Sequence, residues 1–220
     1  MNAKRAFLFV NGEVRDPYRI ISAIQEGDLL VAVDGGLRHL SAMGLTPMVI
    51  IGDLDSITAD QEAEVIRSGC QVLRFPPQKD ETDLELALDY IQQQGCRQIC
   101  IVGGLGGRLD QTLGNIYLLT QSGLGHCDVR IDDGLEEVWI LRDSAKIQGE
   151  PGDIVSLLPV SEQVVGVRTE NLLYPLRSET LNRDRTRGIS NVMENNQAII
   201  DIQSGLLLCI HSRKGSSSGH

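Results

Sequence analysis

Short apolar, β-branched runs alternate with helical patterns over the first 130 residues. The apolar runs are "AFLFV", "LLVAV", "MVII", "QVLRF", "QICIV" and "DVRI". Between them lie "YRIISAIQ", "GLRHLSAMG", "TADQEAEVIRSG", "TDLELALDYIQQQG" and "LDQTLGNIYLLTQSG". Continuous apolar runs of this length suit strands of a parallel sheet, whose two faces are both covered by helices. In the fourth helical segment Leu84, Ala87, Leu88 and Ile91 recur at i, i+3, i+4 and i+7, the spacing of one helix face. Thr82 and Glu85 form a capping-box pattern ahead of it, and Gly95 stands where the helix should close. The alternation predicts an α/β domain with a mainly parallel, Rossmann-like sheet.

After about Gly134 the helical period stops. The runs "VWIL", "IVSLLPV", "VVGVRT", "QAIIDI" and "LLLCIH", separated by turn signals such as "GEPGD" and Ser204-Gly205, predict an all-β sandwich. The expected boundaries are 1–133 for the α/β domain and 134–213 for the sandwich, with 214–220 a tag or linker remnant.

Composition narrows the partners. The chain of 220 residues is 41% apolar and 23% charged, enough to bury a core. Its net charge of −10 argues against nucleic acid and anionic membranes, although a local cation can still hold a small phosphate ligand. Lys4-Arg5 precede only five apolar residues, too few for a secretory leader, and no run is long enough to span a bilayer. Five cysteines without a C-x-x-C read as buried thiols in a reducing cytoplasm.

Ligands of open α/β sheets bind beyond the carboxyl ends of the strands, and polar residues concentrate there in this chain. The second strand ends in Asp34-Gly35-Gly36, and the third in "GDLDS", with Asp53 and Asp55. The fourth is followed by "PPQKDETD", with Lys79, Thr82 and Asp83, and the fifth runs into "GGLGGRLDQTLGN", with Arg108 and Asp110. Any one of these acids reads most simply as a helix cap or solvated loop charge. Together, Asp34, Asp53, Asp55, Asp83 and Asp110 would repel one another unless a cation neutralised them, and hard oxygen ligands in that number suit Mg²⁺. The glycine loop fits neither standard nucleotide motif. Leu109 stands where a dinucleotide fingerprint needs its third glycine, and Gly-Lys-Ser/Thr is absent. Two readings remain with equal weight: a phosphate cradle of backbone N–H groups beside the Arg108 fork, or a βα turn whose glycines serve packing.

In order and spacing, "VDGG", "GDLDS", "KDETD" and "GGLGGRLDQTLGN", followed by "NLLYPL", "TRGISN" and "GLLLCI", closely resemble the thiamine pyrophosphokinases. The resemblance spans residues 7–211. It implies transfer of a diphosphoryl group from ATP to the hydroxyl of thiamine, giving thiamine diphosphate and AMP, with Mg²⁺. It also implies a homodimer whose active sites lie where the α/β domain of one subunit meets the β domain of the other. By the same resemblance Asp53, Asp55 and Asp83 would hold metal. Asp34, Gly35, Gly36, Lys79, Thr82, Arg108, Gln111 and Asn115 would serve ATP, and Ser190 and Asn191 would contact thiamine. Some members carry a stacking aromatic near that last segment, but "GISNVMEN" contains none.

The expected mechanism is positioning plus charge neutralisation. Lys79 and Arg108 would stabilise charge on the transferred group and on AMP, and Asp110 or Asp55 would accept the hydroxyl proton. The rival readings are a pyrophosphokinase for another hydroxymethyl acceptor, such as a pterin, and a nucleotide- or thiamine-binding sensor without catalysis.

Overall fold

A computed structural model describes residues 5–53, 65–76, 78 and 80–214. The chain divides into two compact units, Met1–Gly134 and Leu135–His220.

The first unit is built on a parallel sheet of six strands: β1 (Arg5–Phe9), β2 (Leu29–Val33), β3 (Val49–Gly52), β4 (Gln71–Arg74), β5 (Gln98–Val102) and β6 (Asp128–Asp132). Their order is β6-β5-β1-β2-β3-β4. The chain therefore winds outward from β1 through β4, then returns to the other side of β1 and winds outward again through β6. Helices α1 (Pro17–Ala23), α2 (Leu37–Ala42), α3 (Asp83–Gln93) and α4 (Leu109–Leu118) connect them. The pattern "TADQEAEVIRSG" falls mostly outside the described residues; 65–67 are helical.

Phe7 and Phe9 of β1 project to one face of the sheet, where they form a core with Ile20 of α1 and Leu37 and Leu40 of α2. Helix α3 packs on β2 and β3. Its four spaced apolar residues, Leu84, Ala87, Leu88 and Ile91, are all buried. Thr82 caps it as the pattern predicts, its hydroxyl oxygen accepting the Glu85 N–H at 3.2 Å. A cap of this kind stabilises a helix by about 1 kcal/mol. All five cysteines are thiols, and burial pushes Cys70 up to about 11.

The second unit consists of antiparallel strands β7 (Glu136–Leu141), β8 (Ser144–Gln148), β9 (Ile154–Pro159), β10 (Gln163–Glu170), β11 (Arg177–Asn182), β12 (Asn191–Val192), β13 (Gln197–Asp201) and β14 (Leu207–Ser212). They lie in the orders β12-β9-β14-β7 and β11-β10-β13-β8. Trp139, Leu141, Val155, Leu157, Leu207 and Cys209 of the first set meet Ile147, Val164, Val167, Leu181, Ala198 and Ile200 of the second in one core.

The fold class is thus the one the alternation predicts, α/β followed by a sandwich. Strands β8 and β11 were not foreseen, for a physical reason. They are the two edges of their sheet, and their sequences "SAKIQ" and "RSETLN" each bury a single residue. Charged side chains on an edge discourage pairing with another chain, and they also erase the apolar pattern by which a strand is read. Among the described residues no helix is long and apolar enough to cross a membrane.

Candidate functional site

Where the winding direction of an open parallel sheet reverses, the loops leaving two neighbouring strands diverge and leave a crevice. Here the reversal falls between β1 and β5. Beyond their ends the two chains stay paired through backbone: Val10 N–H donates to the Val102 carbonyl at 2.9 Å, Gly12 N–H to Gly103 at 2.8 Å and Glu13 N–H to Leu105 at 2.8 Å. Gly12 is required for this approach, since a Cβ there would collide with the carbonyls of Gly103 and Leu105. Facing it, Gly103, Gly106 and Gly107 take φ values of 75°, 79° and 67°, conformations that glycine adopts without steric cost.

A cavity of about 440 Å³ opens above this seam. Four loops contribute to its wall: Asn11 and Gly12 after β1, Asp34 after β2, Thr82 and Asp83 at the start of α3, and the glycine loop after β5 with the inner face of α4. Six residues expected from the sequence are therefore brought together: Asp34, Thr82, Asp83, Asp110, Gln111 and Asn115. Asn115 also fixes the glycine loop, its amide donating to the Gly104 carbonyl at 2.9 Å, and the Thr112 hydroxyl donates to Gly106 at 3.1 Å. Asp34 has φ 47°, the left-handed region that a non-glycine residue enters only where its surroundings impose it.

Other expected residues lie beside the cavity rather than in its lining. Gly36 is buried, and a Cβ on it would collide with the Phe9 carbonyl, so close packing of the turn after β2 on β1 requires its glycine. Gly35 is buried too and packs against the Asn11 side chain. Asp53 directly follows β3 and is half-buried. Asp55 and Lys79 lie outside the described residues. Among the described residues no group of three His, Cys, Asp or Glu side chains is arranged to hold a metal ion. The acids that are described offer hard oxygen donors of the kind Mg²⁺ prefers. Asn11 and Gly12 went unnoticed in the sequence, where "NG" after "AFLFV" marked only the end of an apolar run. An Asn-Gly pair at a strand end was the available signal.

Arg108 and Asp110 form a forked pair at the mouth of the site. The guanidinium donates through Nε to Oδ1 at 3.1 Å and through its terminal nitrogen to Oδ2 at 2.6 Å. Both side chains are largely exposed. The Arg108 hydrogen bond, followed by that of the Gln111 N–H, holds the Asp110 carboxyl below its ordinary value, and the same pairing raises Arg108. An anion arriving at this loop would compete with Asp110 for the fork.

In the second unit, Ser190 and Asn191 behave differently from one another. Ser190 is exposed with φ 57°, and its N–H donates to the Ser156 hydroxyl at 3.0 Å. Asn191 is 3% exposed, and its amide is occupied by backbone: Oδ1 accepts from Tyr174 N–H at 2.9 Å and Val192 N–H at 3.0 Å, and Nδ2 donates to the Tyr174 carbonyl at 2.7 Å. This clamp fixes the backbone of Tyr174, which is 58% exposed, against Asn191. The backbone of an exposed tyrosine is thus held beside Asn191, supplied from 17 residues upstream rather than from "GISNVMEN".

Residues 21–131 match the family described as "Thiamin pyrophosphokinase, catalytic domain", and residues 144–207 match "Thiamin pyrophosphokinase, vitamin B1 binding domain". The thiamine pyrophosphokinase of Bacillus subtilis is 29% identical over 189 residues, covering 85% of this chain and 88% of its own. A crystal structure of the thiamine pyrophosphokinase from Bacillus subtilis superposes with a TM-score of 0.86 at 27% identity, covering 96% of this chain and 100% of that one. The thiamin pyrophosphokinase of Candida albicans, at 17% identity and a TM-score of 0.79, covers 94% of this chain and 88% of its own and shares the fold.

The forked pair yields a direct expectation. Replacing Arg108 with Met removes the donor that depresses Asp110, so the Asp110 pKa should rise toward the ordinary carboxylate value. A carboxyl-carbon NMR titration measures this; an unchanged midpoint would show that the Gln111 N–H alone sets it.

Proposed function

Because the chain belongs to the thiamin pyrophosphokinase family, we propose that it transfers the diphosphoryl group of ATP to the hydroxyl of thiamine, giving thiamine diphosphate and AMP. The observation that carries this reading is the cavity at the reversal of the parallel sheet, where Asp34, Thr82, Asp83, Asp110, Gln111 and Asn115 converge from separate loops. Asp53, Asp55 and Asp83 would hold Mg²⁺, which when bound neutralises charge on the phosphate oxygens. Beside the cavity, Arg108 offers a planar fork for the triphosphate, with Asp110 as the group it releases. Lys79 and Gly35-Gly36 complete the nucleotide side of this reading. The natural setting is the cytoplasm, which supplies ATP and keeps the cysteines reduced.

For thiamine, Ser190 and Tyr174 are the contacts we propose, with Asn191 acting through the Tyr174 backbone. Thiamine carries a permanent thiazolium charge beside an aromatic pyrimidine, and an exposed phenol ring suits both through cation–π attraction and stacking.

A homodimer with active sites at the subunit interface is part of the same proposal. Support comes from α4, in which no residue is buried. One of its faces lines the cavity, while Leu109, Leu113 and Tyr117, at i, i+4 and i+8, are 71%, 43% and 62% exposed. An apolar stripe of this kind fits the face of a second copy.

The activity is tested by incubating the protein with ATP, Mg²⁺ and thiamine. AMP and thiamine diphosphate should appear in equal amounts; release of ADP, or equal turnover with a hydroxymethylpterin, would overturn the assignment. In that assay Asp55→Asn should lower kcat by roughly a hundredfold without changing the melting temperature, the scale on which loss of a transition-state electrostatic contact is felt.

Tyr174→Ala should raise KM for thiamine by about tenfold while leaving KM for ATP alone. Equal changes in the two constants would remove the ring from the thiamine site.

Leu113→Glu should convert the dimer into a monomer by light scattering. A parent chain that is itself monomeric at micromolar concentration would refute the interface.

A further inference from the structure

Two side chains that line no part of the cavity control the turn that closes it from below. Arg38 and His39 lie on α2, directly after the Asp34–Gly36 turn. The terminal guanidinium nitrogen of Arg38 donates to the Asn11 carbonyl at 2.7 Å and to the Gly12 carbonyl at 3.0 Å. His39 Nε2 lies 2.9 Å from the same Gly12 oxygen. Arg38 Nε, a donor, lies 3.4 Å from the same Nε2, but the shorter contact is with a carbonyl oxygen, which only accepts, and it favours the tautomer with the proton on Nε2. Half-burial, followed by the neighbouring Arg38 charge, lowers the His39 pKa although the Gly12 contact opposes the change, and this favours the neutral ring. The ring also stands against Gly103, where a Cβ would come within 3.4 Å of Nε2. His39 thus touches both backbones of the β1–β5 seam.

The consequence is electrostatic. Carbonyl oxygens carry the negative end of the peptide dipole, and at the edge of a cavity they repel an anion. In the Asn11–Gly12 turn both oxygens are engaged by donors outside the cavity, and one donor is a full cation set behind the wall. In a chain of net charge −10, such local cancellation would favour the approach of a polyphosphate.

The geometry points to Arg38 and His39 as positioning residues for the nucleotide. They hold the Asn11–Gly12 carbonyls away from the cavity and seat the turn against the glycine loop, so that the site accepts the phosphates of ATP. This assignment rests on the proposed function, which supplies the polyanion.

The test measures the ATP dissociation constant directly, alongside KM for each substrate, kcat and the melting temperature. Arg38→Met and His39→Leu should each raise Kd and KM for ATP by about tenfold, the scale of a lost hydrogen bond to a charged or buried group, with KM for thiamine unchanged. His39→Gln keeps an N–H donor for the Gly12 carbonyl and should restore near-parental values. An unchanged Kd for ATP in Arg38→Met and His39→Leu overturns the proposal. So does a His39→Gln protein as impaired as His39→Leu, or a rise in both KM values that follows the melting temperature. The His39 pair decides the matter even if Arg38→Met fails to fold. A parent chain that binds ATP but releases no AMP with thiamine would sink the proposed function, while the Kd comparison would still test Arg38 and His39. A parent chain that binds no ATP overturns both.

Discussion

The seam between the β1 and β5 loops is the constraint on which the site depends. Two parallel strands normally separate where their ladder ends, but here three backbone hydrogen bonds carry the pairing onward through Glu13. At its middle bond neither chain can carry a side chain, which is why Gly12 faces Gly103. With the seam closed, Asn11 is fixed at one side of the cavity and the glycine loop at the other, and α4 must start where the loop releases it. The far side of the β1–α1 loop is anchored as well: Arg15 and Asp16 donate backbone N–H groups to the Asp133 carbonyl at 2.8 and 3.0 Å, and Arg15 Nε bonds the buried Asp133 carboxylate at 2.7 Å. The loop is therefore held at both ends by β5 and β6 termini, leaving little backbone freedom near the cavity.

The second unit solves a different problem with the same economy of parts. A buried amide with two donors and one good acceptor oxygen can replace a strand's worth of backbone pairing over a short stretch. Asn191 does this for Tyr174, and an exposed ring is held by a buried clamp rather than by its own contacts. Separating the two roles leaves the side chain exposed, while its backbone is set by hydrogen bonds to a buried amide.

What the sequence made legible was whatever is local or obeys a strand-end rule. The α3 stripe and its Thr82 cap depend on residues within one helix, and both appear as read. Asp34, Thr82, Asp83, Asp110, Gln111 and Asn115 converge because each follows a strand of one parallel sheet, a relation that periodicity alone can suggest. Asn11 and Gly12 were not legible, because their importance comes from β1 lying beside β5, a matter of strand order that no window of sequence contains. Strands β8 and β11 escaped because polar edges lack the apolar signal. For Asn191 the difficulty was again distance along the chain: its partner, Tyr174, belongs to another segment.

Helix α4 combines two properties that rarely coincide: it supplies several residues of the cavity wall, and it buries none of its own side chains. A helix of ten residues is marginal by itself, and within a single chain half-buried Ile116 and Leu118 and the Thr112 and Asn115 ties to the glycine loop help to hold it. Segments with few buried contacts are in general those that open at low free energy. Whatever presses on either face therefore contributes to folding it, and the cost of ordering is met only once. A nucleotide on the inner face and a second subunit on the outer one would each strengthen the other's binding through that shared saving in entropy, without any change in average structure.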